Sequence, residues 1–336
     1  MGSNIAVDYL RLSVTDCCNL NCLYCRPLCS IYSTDSLPAQ KIWRSGADPG
    51  CLPHKEELSH KEMFDIVNML ADAGIKKIRI TGGEPLLKKD VVDLAGILSG
   101  IGEIEEISMT TNGVLLKRFA RPLKDAGLCR INISLDTLRK DRYKYITGQD
   151  KLNEVLQGIE EALYMKLLPV KLNVVVMKSI NDDEIIDFVK LACSKKIIVR
   201  FIELFSTGSE SCRFLGYFVS NSSIREKIEA TFGPLEETDR IEGSGPARYF
   251  KVKGVSATIG FIDSTTSNFC HECSRIRMSP EGKLYPCLFS SEYLDLRKCS
   301  RMADNLKYVR RFIAEKIYYT KNTVKHRPFE MSMRGG

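Results

Sequence analysis

The chain has 336 residues, of which 44% are hydrophobic and 27% charged, with no stretch given over to one residue type. That length exceeds the usual size of a single core, so one large α/β barrel or two domains are expected, and disorder is not the default reading of this composition. The net charge of +7 lies wholly in residues 297–334, where eleven Lys or Arg face three Asp or Glu; a solvated helix face is the ordinary meaning of such a run, and a hold on a phosphorylated ligand the sharper one.

The opening MGSNIAVDYL lacks the basic start and apolar core of a secretory signal, and no apolar run reaches membrane-spanning length. A cytoplasmic protein with neither membrane nor nucleic acid as partner is expected. From there, β-branched runs at 9–14, 76–81, 105–111, 130–135, 171–177 and 198–203 read as strands. Segments such as 60–73 and 182–195 repeat apolar residues every three or four positions, as helices packed on a parallel sheet do. The first 207 residues therefore read as repeated βα units. Such units place ligands at the carboxyl ends of their strands.

Residues 29–51 read as an extended loop containing Trp43, the only tryptophan. Beyond Thr207 and Gly208 the βα rhythm stops, and Pro234, Gly243, Gly245 and Pro246 punctuate a more irregular part. A boundary is expected there, giving units 1–207 and 208–336.

Thirteen cysteines, an odd number, do not suit a disulfide framework in a reducing compartment. Six form two tight groups, Cys18/Cys22/Cys25 and Cys270/Cys273/Cys287, while Cys129 and Cys193 read as small core residues. A cubane 4Fe-4S cluster normally takes four thiolates, so three on one loop leave an iron open to a small molecule. A three-cysteine zinc site, or closure of the cluster by Cys29, is the alternative. Gly82-Gly83-Glu84-Pro85 ends the second predicted strand, and its glycines permit close backbone approach. In the second group three thiols again lack an obvious fourth; an open cluster is the first reading and zinc the second. Arg275 and Arg277 share a face if their segment is extended, a pairing suited to polyphosphate or carboxylate. Arg11, Arg79 and Lys171 lie inside predicted strands. A charge there is costly unless a ligand, or a carboxylate such as Glu84, Asp136 or Glu203, compensates it.

The spacing of Cys18, Cys22 and Cys25 after a first strand resembles the signature of the radical S-adenosylmethionine superfamily. With the strings LRLS (10–13), KIRITGGEP (77–85), INISLD (131–136), RFIE (200–203), GPARY (245–249), the segment 269–289 and the ending MSMRGG (331–336), the chain is similar nearly end to end to its GTP 3′,8-cyclase family of molybdenum cofactor biosynthesis. The resemblance implies an incomplete (β/α)6 TIM-like barrel with a C-terminal iron-sulfur extension, two 4Fe-4S clusters and S-adenosylmethionine. It implies that a 5′-deoxyadenosyl radical takes the C3′ hydrogen of GTP and that the sugar radical attacks C8, giving 3′,8-cyclo-7,8-dihydro-GTP.

By the same resemblance Tyr24, Gly83, Ser134 and Phe205 would hold S-adenosylmethionine, and Arg11, Arg79, Thr110, Lys171, Arg275, Ile276 and Arg277 would hold GTP. Arg11 and the terminal Gly335 and Gly336 would serve catalysis, the glycines by threading into the site. A reductant, a downstream cyclic pyranopterin monophosphate synthase and an optional homodimer are the implied partners. Three features depart from the family pattern: Phe205 stands for a frequent methionine, Arg334 for an apolar residue, and the loop holding Cys29 and Cys51 is longer.

Overall fold

The computed structural model describes residues 6–25, 57–205, 216–238, 245–255, 257–266, 273–288 and 290–316. Cys29, Cys51, Trp43, Cys270, Arg334, Gly335 and Gly336 lie outside the described residues.

The strands β1 (Tyr9–Ser13), β2 (Lys77–Thr81), β3 (Glu106–Thr111), β4 (Arg130–Ser134), β5 (Lys171–Val176) and β6 (Ile198–Glu203) run parallel in sequence order. Each bound falls within one residue of the sequence expectation. Helices α1 (His60–Asp72), α2 (Val91–Ser99), α3 (Leu116–Asp125), α4 (Lys140–Thr147), α5 (Leu152–Tyr164) and α6 (Ile185–Lys195) connect them. The first helix shows why they form. Ser59 caps it in a reciprocal box with Glu62, and Met63, Ile66, Val67 and Leu70 make its buried stripe.

The C-terminal residues are more regular than their punctuation suggests. After α7 (Asn221–Phe232) come β7 (Leu235–Thr238), β8 (Arg248–Val252), β9 (Thr258–Ile262), β10 (Arg275–Met278), β11 (Lys283–Tyr285) and β12 (Leu294–Asp295), then α8 (Leu296–Cys299) and α9 (Asn305–Ala314). Among the described residues all twelve strands form one sheet in the order β12-β11-β10-β1-β2-β3-β4-β5-β6-β9-β8-β7. It has two free edges, so the barrel is open. Strands β9 and β10 come from beyond residue 207, yet they pair in parallel with β6 and β1 and flank the six-stranded core of the sheet.

Strand alternation divides this sheet into two faces. Leu10, Leu12, Ile78, Ile80, Ile107, Met109, Ile131 and Ile133 join residues of α1, α2, α3, α5 and α6 in one continuous apolar core. The opposite parity of the same strands carries Tyr9, Arg11, Arg79, Ser108, Thr110, Arg130, Asn132, Lys171, Asn173 and Arg200. One face of the sheet is thus apolar and packed by helices, and the other is rich in cationic and polar side chains. No helix among the described residues is long and apolar enough to cross a membrane.

Candidate active site

The cysteine loop leaves the carboxyl end of β1 and is pinned from three directions. Gly83 N donates to Thr15 O (2.8 Å) and Glu84 N to Cys17 O (2.6 Å), so the turn after β2 lies directly against the start of the loop. A methyl group on Gly82 would stand 2.5 Å from Thr15 O, and one on Gly83 2.3 Å from Cys17 O. No other residue fits either place. On the far side Asn21 N and Leu23 N donate to Thr147 O and Ile146 O at the end of α4 (2.9 and 3.0 Å). From β3, Asn112 Nδ2 donates to Asn19 Oδ1 (2.7 Å) and lies 3.9 Å from Cys18 Sγ.

Glu84 fixes that third anchor. Its buried carboxylate accepts from Leu86 N (3.0 Å), Thr111 Oγ1 (2.6 Å) and Asn112 N (2.7 Å), and burial pushes its pKa up to about 7. Asp136 does similar work after β4: Oδ2 accepts from Tyr24 Oη (2.6 Å) and Oδ1 from Val175 N (2.8 Å), while burial lifts it to about 6. Glu203, at the end of β6, accepts from Asn221 N (3.1 Å), Thr265 N (3.0 Å) and Thr266 N (2.9 Å). Among the described residues these three carboxylates therefore engage main-chain N–H groups and hydroxyls. They are not the counter-ions of the inner-face cations.

The thiols of the first group, Cys18, Cys22 and Cys25, are half-buried and not joined in a disulfide. Among the described residues no three His, Cys, Asp or Glu side chains gather closely enough to hold a single metal ion. What fits a multi-iron cluster is the donor set, three thiols on one short loop and none in a disulfide, with Cys25 N tied back to Cys22 O (3.1 Å). Tyr24, Gly83 and Ser134, expected around S-adenosylmethionine, all border this loop or the adjoining strand ends. Phe205 follows the end of β6, half-buried.

The second group lies at the other end of the sheet. Cys273 precedes β10, which starts level with Tyr9, and Tyr9 N donates to Ser274 O (3.3 Å). Cys273 and Cys287 flank the β10–β11 hairpin at its shared end, and both are half-buried and free. Although burial raises the Cys273 thiol, the charges of Arg275 and Lys316 outweigh it and bring the group down to about 6. Lys316 Nζ donates to Cys273 O (2.6 Å).

Between the two groups stand the cations. Arg275 and Arg277 occupy one face of β10, level with Tyr9 and Arg11, as an extended segment requires. Arg79 is level with Arg11, and its Nε donates to Ser108 Oγ (3.3 Å). Burial, with Arg277 and Arg79 adding, drives the Arg11 guanidinium well below its ordinary pKa. Burial with Arg200, Arg130 and Arg79 takes Lys171 down to about 6, and Lys171 Nζ donates to Tyr249 Oη (3.4 Å). Arg130 pairs with Glu106. Tyr9 Oη, Asn173 Oδ1 and Arg200 Nε are buried polar atoms of this face without a hydrogen-bond partner among the described residues. Orphaned groups on a cationic face fit a polar, anionic ligand.

Most of the residues expected to hold GTP share this face. Ile276 does not: its side chain is fully buried in the apolar core on the other face, so only its main chain is available. Cys129, read as a core residue, is exposed, while Cys193 packs against the core. The sequence reading missed Tyr9, Arg130, Asn173 and Arg200. All four have the inward parity of strands whose limits were legible, so alternation alone finds them.

The pattern of the radical SAM superfamily matches residues 12–192, and that of the Molybdenum Cofactor Synthesis C family residues 197–326. The GTP 3′,8-cyclase of Alkaliphilus metalliredigens is 43% identical over 88% of this chain and 85% of its own. That of Desulforamulus reducens is 39% identical over 99% and 95%. Among solved structures, Streptococcus suis SuiB bound to S-adenosylmethionine superposes with a TM-score of 0.64 at 13% identity, covering 94% of this chain and 68% of that one. This last likeness concerns the fold. The relatives decide the family: the chain belongs to the radical SAM superfamily and, within it, to the GTP 3′,8-cyclases.

Proposed function

We propose that this chain converts GTP to 3′,8-cyclo-7,8-dihydro-GTP in molybdenum cofactor biosynthesis, as a radical lyase. The observation that carries the reading is the cationic inner face, set between two cysteine groups, in a chain whose relatives are GTP 3′,8-cyclases. A 4Fe-4S cluster held by Cys18, Cys22 and Cys25, with S-adenosylmethionine on its open iron, would supply the one-electron cleavage that starts hydrogen abstraction. The chain itself does the rest by position. Tyr24, held by Asp136, would line the S-adenosylmethionine site beside the cysteine loop together with Gly83, Ser134 and Phe205.

Arg11, Arg79, Lys171, Arg275 and Arg277 would take the triphosphate by charge-assisted hydrogen bonds, leaving the sugar toward the cysteine loop. Thr110 accepts from Asn132 Nδ2 (3.4 Å) on the same face and is suited to the nucleoside. Cys273 and Cys287, with Cys270 from outside the described residues, would hold a second 4Fe-4S cluster against the guanine. The terminal Gly335 and Gly336 would reach the site from the tail. Residues 1–207 then form the radical unit and 208–336 the unit that supplies the second cluster and β10.

A reductant and a cyclic pyranopterin monophosphate synthase would act before and after this step. A peptide substrate fits poorly, since a face of guanidiniums wants an anion. The test is anaerobic reconstitution with iron and sulfide, followed by assay of 5′-deoxyadenosine and nucleotide product. GTP-dependent 5′-deoxyadenosine is expected; its absence with a loaded first cluster overturns the reading.

A further inference from the structure

One buried group of the inner face has no part in the reaction described so far. Tyr9 opens β1, is 1% exposed, and its hydroxyl has no hydrogen-bond partner among the described residues. The guanidinium carbon of Arg79 stands 5.3 Å from the centre of its ring. Arg11, Arg79 and Arg200 are all close enough to feel the phenol oxygen electrostatically.

Guanidiniums only donate hydrogen bonds, and a phenol O–H donates readily. A hydroxyl left unsatisfied among three buried guanidiniums therefore lacks an acceptor with several lone pairs, and Arg200 Nε lacks one too. A terminal phosphate offers three oxygens to such donors, where an internal one offers two. The depth also agrees. Ser13, at the carboxyl end of β1 beside the cysteine loop, is four residues from Tyr9, or about 13 Å along the strand. With the sugar near the loop and the guanine against the second cysteine group, the phosphate tail runs back along the cationic face beside the base, and its last phosphate comes level with Tyr9.

We infer that Tyr9 Oη donates a hydrogen bond to the third phosphate of the bound nucleoside triphosphate and so sets the site's preference for triphosphate over diphosphate. The inference rests on the nucleotide reading above. Tyr9 is a binding determinant; it touches no reacting atom.

The experiment compares the full chain with Tyr9→Phe, both reconstituted anaerobically and without S-adenosylmethionine so that nothing turns over. Affinities for GTP and for GDP are measured by calorimetry, and the melting temperature of each unliganded protein is recorded. GTP binding is expected to weaken about tenfold or more, the scale of a lost hydrogen bond to a charged group, with GDP binding changed less than about twofold. The unliganded variant should melt at the same temperature or higher, because it loses only an unsatisfied buried hydroxyl. An equal loss for GTP and GDP, no loss for either, or a lower melting temperature overturns the inference. Failure of the unsubstituted chain to bind GTP is a different result: it removes the nucleotide reading and this inference with it.

Discussion

Lys171 should couple ligand binding to proton uptake. Its side chain is 3% exposed, and burial, reinforced by Arg200, Arg130 and Arg79, holds its pKa at about 6. At pH 8 the free protein then carries about one charged Lys171 in a hundred molecules. A phosphate placed among these cations reverses the balance and returns the amine toward its ordinary value of about 10.4, so binding takes up about one proton per nucleotide at pH 8. By linkage the affinity should fall about tenfold for each pH unit between about 7 and 9. The nucleotide's own last ionisation, near 6, is complete in that range. The sign for stability follows from the same shift. The folded pKa lies below the unfolded one, so the unfolded chain binds more protons between them, and the unliganded fold loses stability as pH falls from about 10 to about 6. Calorimetry of GTP binding at pH 8, in buffers of different ionisation heat, reads the proton directly. No uptake by the unsubstituted protein, or equal uptake by Lys171→Gln, would refute the coupling.

Gly83→Ala sets a methyl 2.3 Å from Cys17 O, so the turn or the loop must move; iron content should drop by one cluster while the far-UV spectrum of the barrel is kept. Glu84→Ala leaves Leu86 N, Asn112 N and the Thr111 hydroxyl without their acceptor and should cost about 3 kcal/mol or more in urea unfolding. Glu84 also has a folded pKa of about 7, raised above the unfolded value, so its contribution fades as pH rises from about 4.5 to about 7; the variant should lose that slope. Cys287→Ser should remove only the second cluster, leaving about four irons per chain and an electron paramagnetic resonance signal that still responds to S-adenosylmethionine. An unchanged iron count in that variant would exclude Cys287 as a ligand.

The βα half was legible because its signals are local. Alternation and helical period lie within single elements, and the six strand limits follow to within a residue from runs such as 76–81 and 198–203. The C-terminal strands were not, for a physical reason. β9 and β10 are short, and each earns its place by pairing with a strand more than fifty residues away in sequence, β6 and β1 respectively. No local pattern reports a non-local ladder. The anchoring carboxylates were half legible: Glu84, Asp136 and Glu203 stand at strand ends in the sequence, but their partners are main-chain N–H groups, which carry no residue identity. Ile276 shows what a motif does not report: strand parity turns its side chain into the apolar core, so any contact it makes with a ligand is through its main chain.

The distant strands also explain how the inner face tolerates its charge. Arg275 and Arg277 come from β10 and stand beside Tyr9 and Arg11, which adds positive charge to a face already rich in it. On the other flank β9 presents Gly260 opposite Arg200; a methyl there would stand 2.9 Å from Arg200 Cγ and 3.0 Å from the Tyr249 ring, so the glycine makes the space in which both side chains lie. Folding alone gains nothing from such crowding, because burial and mutual repulsion both disfavour the charged forms of Arg11, Lys171 and Arg200. The apolar core on the opposite face of the same strands offsets that penalty without removing it. An anion on this face would relieve the repulsion that remains, so part of the folding energy would become available as affinity for the proposed nucleotide. A sheet with one face built for stability and the other for charge therefore stores its specificity in strand parity, and both flanking strands must be in place before that store is complete.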